Sequence, residues 1–360
     1  LFDSVVSATL KGNHLVHVNS VLRVGERIVR SIAQVGLVLI GWGLTGMVVG
    51  LVLSTILVAV TGIWYLDINP ALPRRRHLTS LYEFAKFAWV GDLCQRFYGT
   101  LDITVLGFFV TSGIVGVYSV VWSLVMFLAI FGTGVRETLF PEMSKLDAAG
   151  ERSSVGGLTE EALIYSGIIL IPGLVGGVLL DDRLLRIYGP SFVEGTRVFG
   201  ILAAAALVWT YNRQLQNTLN AVDRPDLAAK SNAVFLGANV VLNLALVPFL
   251  GIIGAATATL ASAGVGVVVS ARYARGVVKV GVPSREIANQ WAAALVMGGV
   301  VYGIRTIGDG RWLVNLNAAF VLLLAGIGAG VYFGVLLGIS PRVRSTVVRN
   351  VPFAPDLTYR

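Results

Sequence analysis

Ten apolar stretches recur along this chain, at residues 22–42, 44–66, 84–106, 113–136, 158–180, 197–219, 228–249, 252–272, 287–306 and 312–338, with short polar connections between them. Each is close to the roughly 20 residues that a helix needs to cross a bilayer at about 1.5 Å per residue. In lipid every backbone N–H and C=O must be satisfied inside the protein, which leaves helices or a closed barrel. The strict alternation of barrel strands is absent from these stretches. The sequence therefore predicts an all-α fold, a polytopic membrane helix bundle. Composition agrees: 55% of residues are hydrophobic and 13% charged, where a soluble domain carries about a quarter charged.

The net charge of +8 points to membrane lipids and away from nucleic acid, because the basic residues lie in the connections between spans. When the connections are numbered alternately, 20 of the 28 Lys and Arg fall in one set, the run Arg74-Arg75-Arg76 among them. Five fall in the other (Arg183, Arg186, Arg197, Arg305, Arg311), and Lys86, Arg96 and Arg213 lie within spans. Cytoplasmic loops concentrate Lys and Arg, so the rule places the first set and the C-terminus in the cytoplasm of a cell (plasma) membrane protein. The outer loops are short. The longest, about 181–196, holds Asp181 and Asp182, which read as solvated. A single cysteine, Cys94, excludes a disulfide framework, and His14 and His17 have no carboxylate or thiol beside them to share a metal. No nucleotide loop or nucleophile triad is present. The expectation is therefore a membrane protein without cofactor or metal that is not an enzyme.

The chain also repeats itself. Gly43, Gly46 and Ser54 match Gly251, Gly254 and Ser262 at a constant offset of 208, and Thr9-Leu10 match Thr218-Leu219 at 209. Internal repeats are a common construction of transporters. Residues 1–10 then correspond to the tail of a helix, and the sequence reads as N-terminally truncated. A short amphipathic leader is the alternative.

Four segments resemble one family. Residues 102–118, from Asp102-Ile103-Thr104 through Gly107 and Ser112-Gly113 to Gly116 and Tyr118, are similar to the junction of its seventh and eighth helices, and Leu139-Phe140-Pro141-Glu142 to the end of the following span. Residues 188–195, Tyr188-Gly189-Pro190-Ser191 through Glu194-Gly195, resemble the short outer loop before the tenth helix. Residues 239–259, with Asn239, Asn243, Pro248, Gly251, Gly254 and Thr259, resemble the hairpin of the eleventh and twelfth. The family is the polysaccharide and oligosaccharide flippase (exporter) branch of the multidrug/oligosaccharidyl-lipid/polysaccharide superfamily. The resemblance implies two pseudosymmetric lobes: residues 1–80 as the remainder of an N-terminal lobe, 81–273 as a six-helix C-terminal lobe, 274–338 as two extra spans and 339–360 as a basic cytoplasmic tail. It implies transport of a lipid-linked oligosaccharide, a diphosphate-linked glycan precursor, from the cytoplasmic to the outer leaflet, with a cation or proton as candidate coupling partner. The alternatives are a drug or organic-cation antiporter of the same superfamily, and a non-functional truncated remnant.

Charge inside a span costs roughly 2.5–3.5 kcal/mol on insertion scales and marks candidate sites. Asp92 and Arg96 share a helical face. Arg96 would bind a diphosphate, with Asp92 orienting it or carrying a coupling ion; the other reading is a self-neutralising pair that anchors the helix. Trp209, Arg213, Gln216, Asn217 and Asn220 fall on one face of the 197–219 span. They offer a guanidinium fork for phosphate, amides for sugar hydroxyls and a ring for stacking. Asp102, near the outer end of its span, reads equally as a cap. Asn232, Asn239 and Asn243 share a face suited to helix packing, Gly326, Gly330 and Gly334 form a small-residue seam, and Pro172 predicts a kink.

Overall fold

The computed structural model describes residues 16–65, 79, 100–308 and 317–350, and every element in it is helical. The chain forms two compact units, Leu1–Leu81 and Tyr82–Arg360.

In the first unit α1 (Val16–Leu37) and α2 (Gly43–Tyr65) pack on one another across a tight turn, Val38–Trp42. Gln34 Nε2 donates to Met47 O at 2.9 Å across this hairpin.

The second unit holds α3 (Thr100–Phe109), α4 (Ser112–Ala148), α5 (Arg152–Arg186), α6 (Thr196–Ala221), α7 (Pro225–Val277), α8 (Ser284–Gly308), α9 (Asn317–Ile339) and α10 (Pro341–Asn350). Seven helical runs among the described residues are long and apolar enough to cross a membrane. Two of these, Val24–Gly62 and Pro225–Val277, double back at a glycine and so correspond to two predicted spans each. Residues 84–99 of the predicted 84–106 span, with Asp92 and Arg96, lie outside the described residues.

The repeat is structural. Gly43 has φ 49° and ψ −131°, and Gly251 has φ 54° and ψ −130°, a region that only glycine enters without a Cβ clash. Ser54 Oγ donates to Leu51 O at 2.9 Å, and Ser262 Oγ to Thr259 O at 3.0 Å. The same turn and the same hydrogen bond recur 208 residues apart.

Three expectations need correction. The stretch 137–157, expected to be a polar connection, is almost wholly helical: α4 runs to Ala148 and α5 starts at Arg152. Arg136, Glu137, Glu142 and Lys145 are good helix formers, so α4 continues about 18 Å past its apolar stretch, and Gly150 (φ 81°) turns the chain. Asp181 and Asp182 belong to α5, not to a solvated loop, and Asp182 pairs with Arg305 of α8 at 3.0 Å. Gly326, Gly330 and Gly334 face open space. The packed face of α9 is Phe320, Leu324, Gly328, Tyr332 and Leu336, one turn apart each, because bulky side chains there fill the core more completely than a glycine seam would.

The second unit exposes large apolar side chains and buries several polar ones within a mainly apolar core. Phe108, Phe127, Phe249 and Leu322 are exposed, while Asp102, Asn212, Gln214, Asn239, Asn243 and Gln290 are fully buried. Lipid solvates such a surface, and the buried amides and carboxylate depend on partners within the protein.

Candidate functional site

The one buried carboxylate among the described residues is Asp102 on α3, 1% exposed. Three donors meet its carboxylate. Asn243 Nδ2 reaches Oδ1 at 2.9 Å, Tyr118 OH reaches Oδ2 at 2.8 Å, and Thr259 Oγ1 donates to Oδ2 in a short hydrogen bond. Tyr118 comes from the start of α4, Asn243 from the first half of α7 and Thr259 from the second half. The turn at Gly251 brings those halves together. Asn239, one turn before Asn243, donates to Ser262 Oγ at 3.1 Å and to Thr259 Oγ1 at 3.5 Å. Asn239 Oδ1 and Asn243 Oδ1 are buried and have no partner among the described residues. One carboxylate, two hydroxyls and two amide oxygens without partners thus converge in an apolar bundle. The carboxylate is held by one amide N–H and two hydroxyl donors.

A second element of the site is apolar. A cavity of about 330 Å³ lies among α4, α5, α6, α8 and α9, walled by Leu128, Pro172, Gly173, Gly176, Phe199, Met297, Leu324 and Gly328. Its mouth carries Phe127 and Phe333, both exposed on the apolar surface. Pro172, within α5, lines the wall, and the two glycines beside it remove side chains from the space. The cavity is at the lower end of the range of small-molecule pockets, about 300–1,000 Å³.

Polar ties fix the α8–α9 pair to α5 on either side of this cavity. At one end Arg305 bonds Asp182 and Leu179 O, Asn317 Nδ2 donates to Arg183 O at 2.7 Å, and the Arg183 guanidinium lies 4.9 Å from the Phe320 ring centroid. At the other, Gln290 Nε2 donates to Ile164 O at 2.9 Å and Gly281 N to Glu160 Oε1 at 2.9 Å.

The polar face predicted on α6 is divided among different neighbours. Trp209, 6% exposed, stacks on Phe235 of α7 with ring centroids 4.6 Å apart. Gln216 Nε2 donates to Asn232 Oδ1 at 2.8 Å, which separates Asn232 from Asn239 and Asn243 in role. Arg213 is half-buried and engaged. Asn217 is buried with Nδ2 unpartnered among the described residues, and Asn220 is exposed at the helix end. Asp92 and Arg96 lie outside the described residues. The hub at Asp102 was missed by sequence reasoning, although a carboxylate in an apolar run facing an Asn-x3-Asn pair was its visible signal.

Similar proteins fit this architecture. The chain is 31% identical to "Probable flippase AglR" of Haloferax volcanii over 95% of its own length and 72% of that protein. It is 27% identical to "Probable low-salt glycan biosynthesis flippase Agl15" of the same organism, over 88% of its length and 66% of the relative's. The solved structure of the lipid II flippase MurJ in an inward closed conformation shares the fold, with a TM-score of 0.73 at 14% identity, covering 89% of this chain and 67% of that one. The family described as polysaccharide biosynthesis protein matches residues 2–194. With an all-helical membrane fold, a repeat of hairpins and a relative of more than 30% identity along nearly its whole length, the chain belongs to that polysaccharide biosynthesis family.

Proposed function

We propose that this chain flips a lipid-linked oligosaccharide from the cytoplasmic to the outer leaflet for polysaccharide or glycan biosynthesis. The observation that carries the reading is the similarity to AglR along 95% of the chain. The apolar cavity supports it. Its walls suit a stretch of the polyprenyl tail, which stays in the bilayer, and its mouth opens on the apolar face of the unit. Flipping breaks no covalent bond, so the protein supplies a polar path for the headgroup. Arg213 and Arg96 are the guanidinium groups assigned to the diphosphate, with Asp92 assigned to orient it by its sequence spacing from Arg96, while Trp209, Gln216, Asn217 and Asn220 share α6 with Arg213. The C-terminus lies in the cytoplasm on this reading, as the Lys and Arg bias requires.

The coupling partner belongs to the Asp102 pocket. The donor set fits a monovalent cation of the sodium class: one carboxylate cancels one charge, and Asn239, Asn243 and Thr259 supply neutral oxygens. A divalent ion held by protein oxygens usually gathers more carboxylates. A bound cation would neutralise Asp102 and release its three donors, which joins the ion gradient to the packing of α3, α4 and α7.

The test is transport by the purified protein in proteoliposomes, using a fluorescent polyprenyl-diphosphate oligosaccharide and a quencher confined to one side. Headgroup translocation that requires Arg213 and responds to a sodium gradient supports the proposal. Transport of organic cations instead, with no movement of the lipid-linked glycan, overturns it.

A further inference from the structure

Where α8 begins and α9 ends, the second unit holds another cavity, opposite in character to the apolar one. The apolar stretches 287–306 and 312–338 both stop at this end, so the cavity lies where the chain leaves the lipid layer. It measures about 360 Å³ and is lined by Val282, Ser284, Arg285 and Glu286 at the start of α8 and by Pro341 and Arg342 at the start of α10. Its two walls are tied together. Ser340, fully buried in the joint between α9 and α10, donates from Oγ to Glu286 Oε2 at 2.6 Å and accepts from Val343 N at 3.2 Å. Asn289 Nδ2 donates to Ile339 O at 3.3 Å, and Val343 is buried under α10. The cavity therefore has a fixed shape.

Its charge is positive. Arg285 and Arg342 are exposed, Arg342 being engaged as well, and Glu286 is the one carboxylate in the lining. Arg344, exposed on α10, adds a further cation two residues on. Its rim is apolar: Val282, in the wall, and Ile339, two residues before Pro341, are both exposed. A soluble anion gains nothing from that rim, whereas a lipid can set its phosphate against the guanidinium groups and its glycerol and chains against Val282 and Ile339. Anionic lipids attract basic residues placed just outside a span, and a guanidinium fork matches phosphate oxygens. We propose that this cavity binds the phosphate headgroup of an anionic membrane phospholipid, with Arg285 and Arg342 holding it and the Ser340 joint setting their spacing. The site requires only the membrane fold, whatever the chain transports. Because α8 and α9 also wall the apolar cavity, a phospholipid held here braces the helix pair that shapes it.

The experiment measures binding of fluorescent phosphatidylglycerol to the purified full chain in neutral detergent, by fluorescence anisotropy. Unlabelled phosphatidylglycerol, phosphatidylcholine, inorganic phosphate and geranylgeranyl diphosphate serve as competitors. The expected result is saturable binding that unlabelled phosphatidylglycerol displaces and phosphatidylcholine and inorganic phosphate, at the same concentration, do not. The Arg285→Gln/Arg342→Gln double variant should bind about ten-fold more weakly or worse, since a basic residue near the membrane surface contributes about five-fold in affinity. The Arg186→Gln/Arg197→Gln variant removes the same charge from the end of α5 and the start of α6, and should bind as wild type does. Equal weakening in both double variants reduces the site to diffuse charge and overturns the proposal. So does the absence of saturable binding, or equal displacement by phosphatidylcholine or inorganic phosphate. Displacement by geranylgeranyl diphosphate in preference to phosphatidylglycerol overturns the phospholipid assignment and gives the cavity to a polyprenyl diphosphate.

Discussion

Asp102 shows how a charge is carried inside an apolar bundle. The cost of placing a charge within a span, up to roughly 2.5–3.5 kcal/mol, is offset by three donors, and hydrogen bonds to charged groups contribute about 1.5–3 kcal/mol each. Removing one donor leaves the carboxylate short of a partner. Asn243→Leu should therefore destabilise the protein by about 1–3 kcal/mol, read as a lower denaturation midpoint in detergent. Asn243→Asp should instead bring a second negative charge within reach of the first and make stability depend more steeply on sodium. At this scale the sequence was half legible. Asn239 and Asn243 stood out as polar residues sharing a face. Their partner did not, because Asp102 lies 141 positions from Asn243 and 157 from Thr259, and spacing rules reach only along one helix.

Among the elements, close backbone approach decides where glycine is indispensable. A Cβ on Gly156 of α5 would collide with the backbone carbonyl of Lys279, whereas Gly134 of α4 has nothing within 4 Å. Gly156→Ala should cost about 1–3 kcal/mol through overpacking. Gly134→Ala should be neutral, or stabilising by up to about 1 kcal/mol from helix propensity. Thermal denaturation of the pair in the same detergent distinguishes a packing contact from a general effect of glycine. Hairpin positions were legible in the sequence because the turn glycines repeat at a fixed offset, and Gly43 and Gly251 adopt nearly the same φ and ψ. The ends of α4 and α5 were not: hydropathy marks where a helix leaves the apolar layer, while helix propensity and the turn at Gly150 mark where it stops. The glycines of α9 misled for a related reason. A four-residue spacing identifies a face, but Gly328 and Tyr332, on the neighbouring face, are the ones that pack.

Across the whole molecule, the sequence was most informative about class, since apolar runs, loop charges and ordered motifs all speak about the bilayer and the family. It was least informative about the cavity, which needs five helices to exist. The cavity also gives the most direct structural handle on transport. Ala329 lines it from an exposed position, so Ala329→Trp should obstruct the space without entering the core. Flipping should fall about ten-fold or more, the effect of raising the barrier by about 1.4 kcal/mol or more, with the denaturation midpoint unchanged. The central claim, that the chain moves a lipid-linked glycan, is tested most directly by reconstituting it in sealed proteoliposomes and following a fluorescent polyprenyl-diphosphate oligosaccharide under an imposed sodium gradient. The account predicts gradient-dependent translocation in the wild type, abolished by Arg213→Ala and made insensitive to the gradient by Asp102→Asn. A folded wild-type protein that leaves the glycan in its original leaflet under every gradient would contradict it.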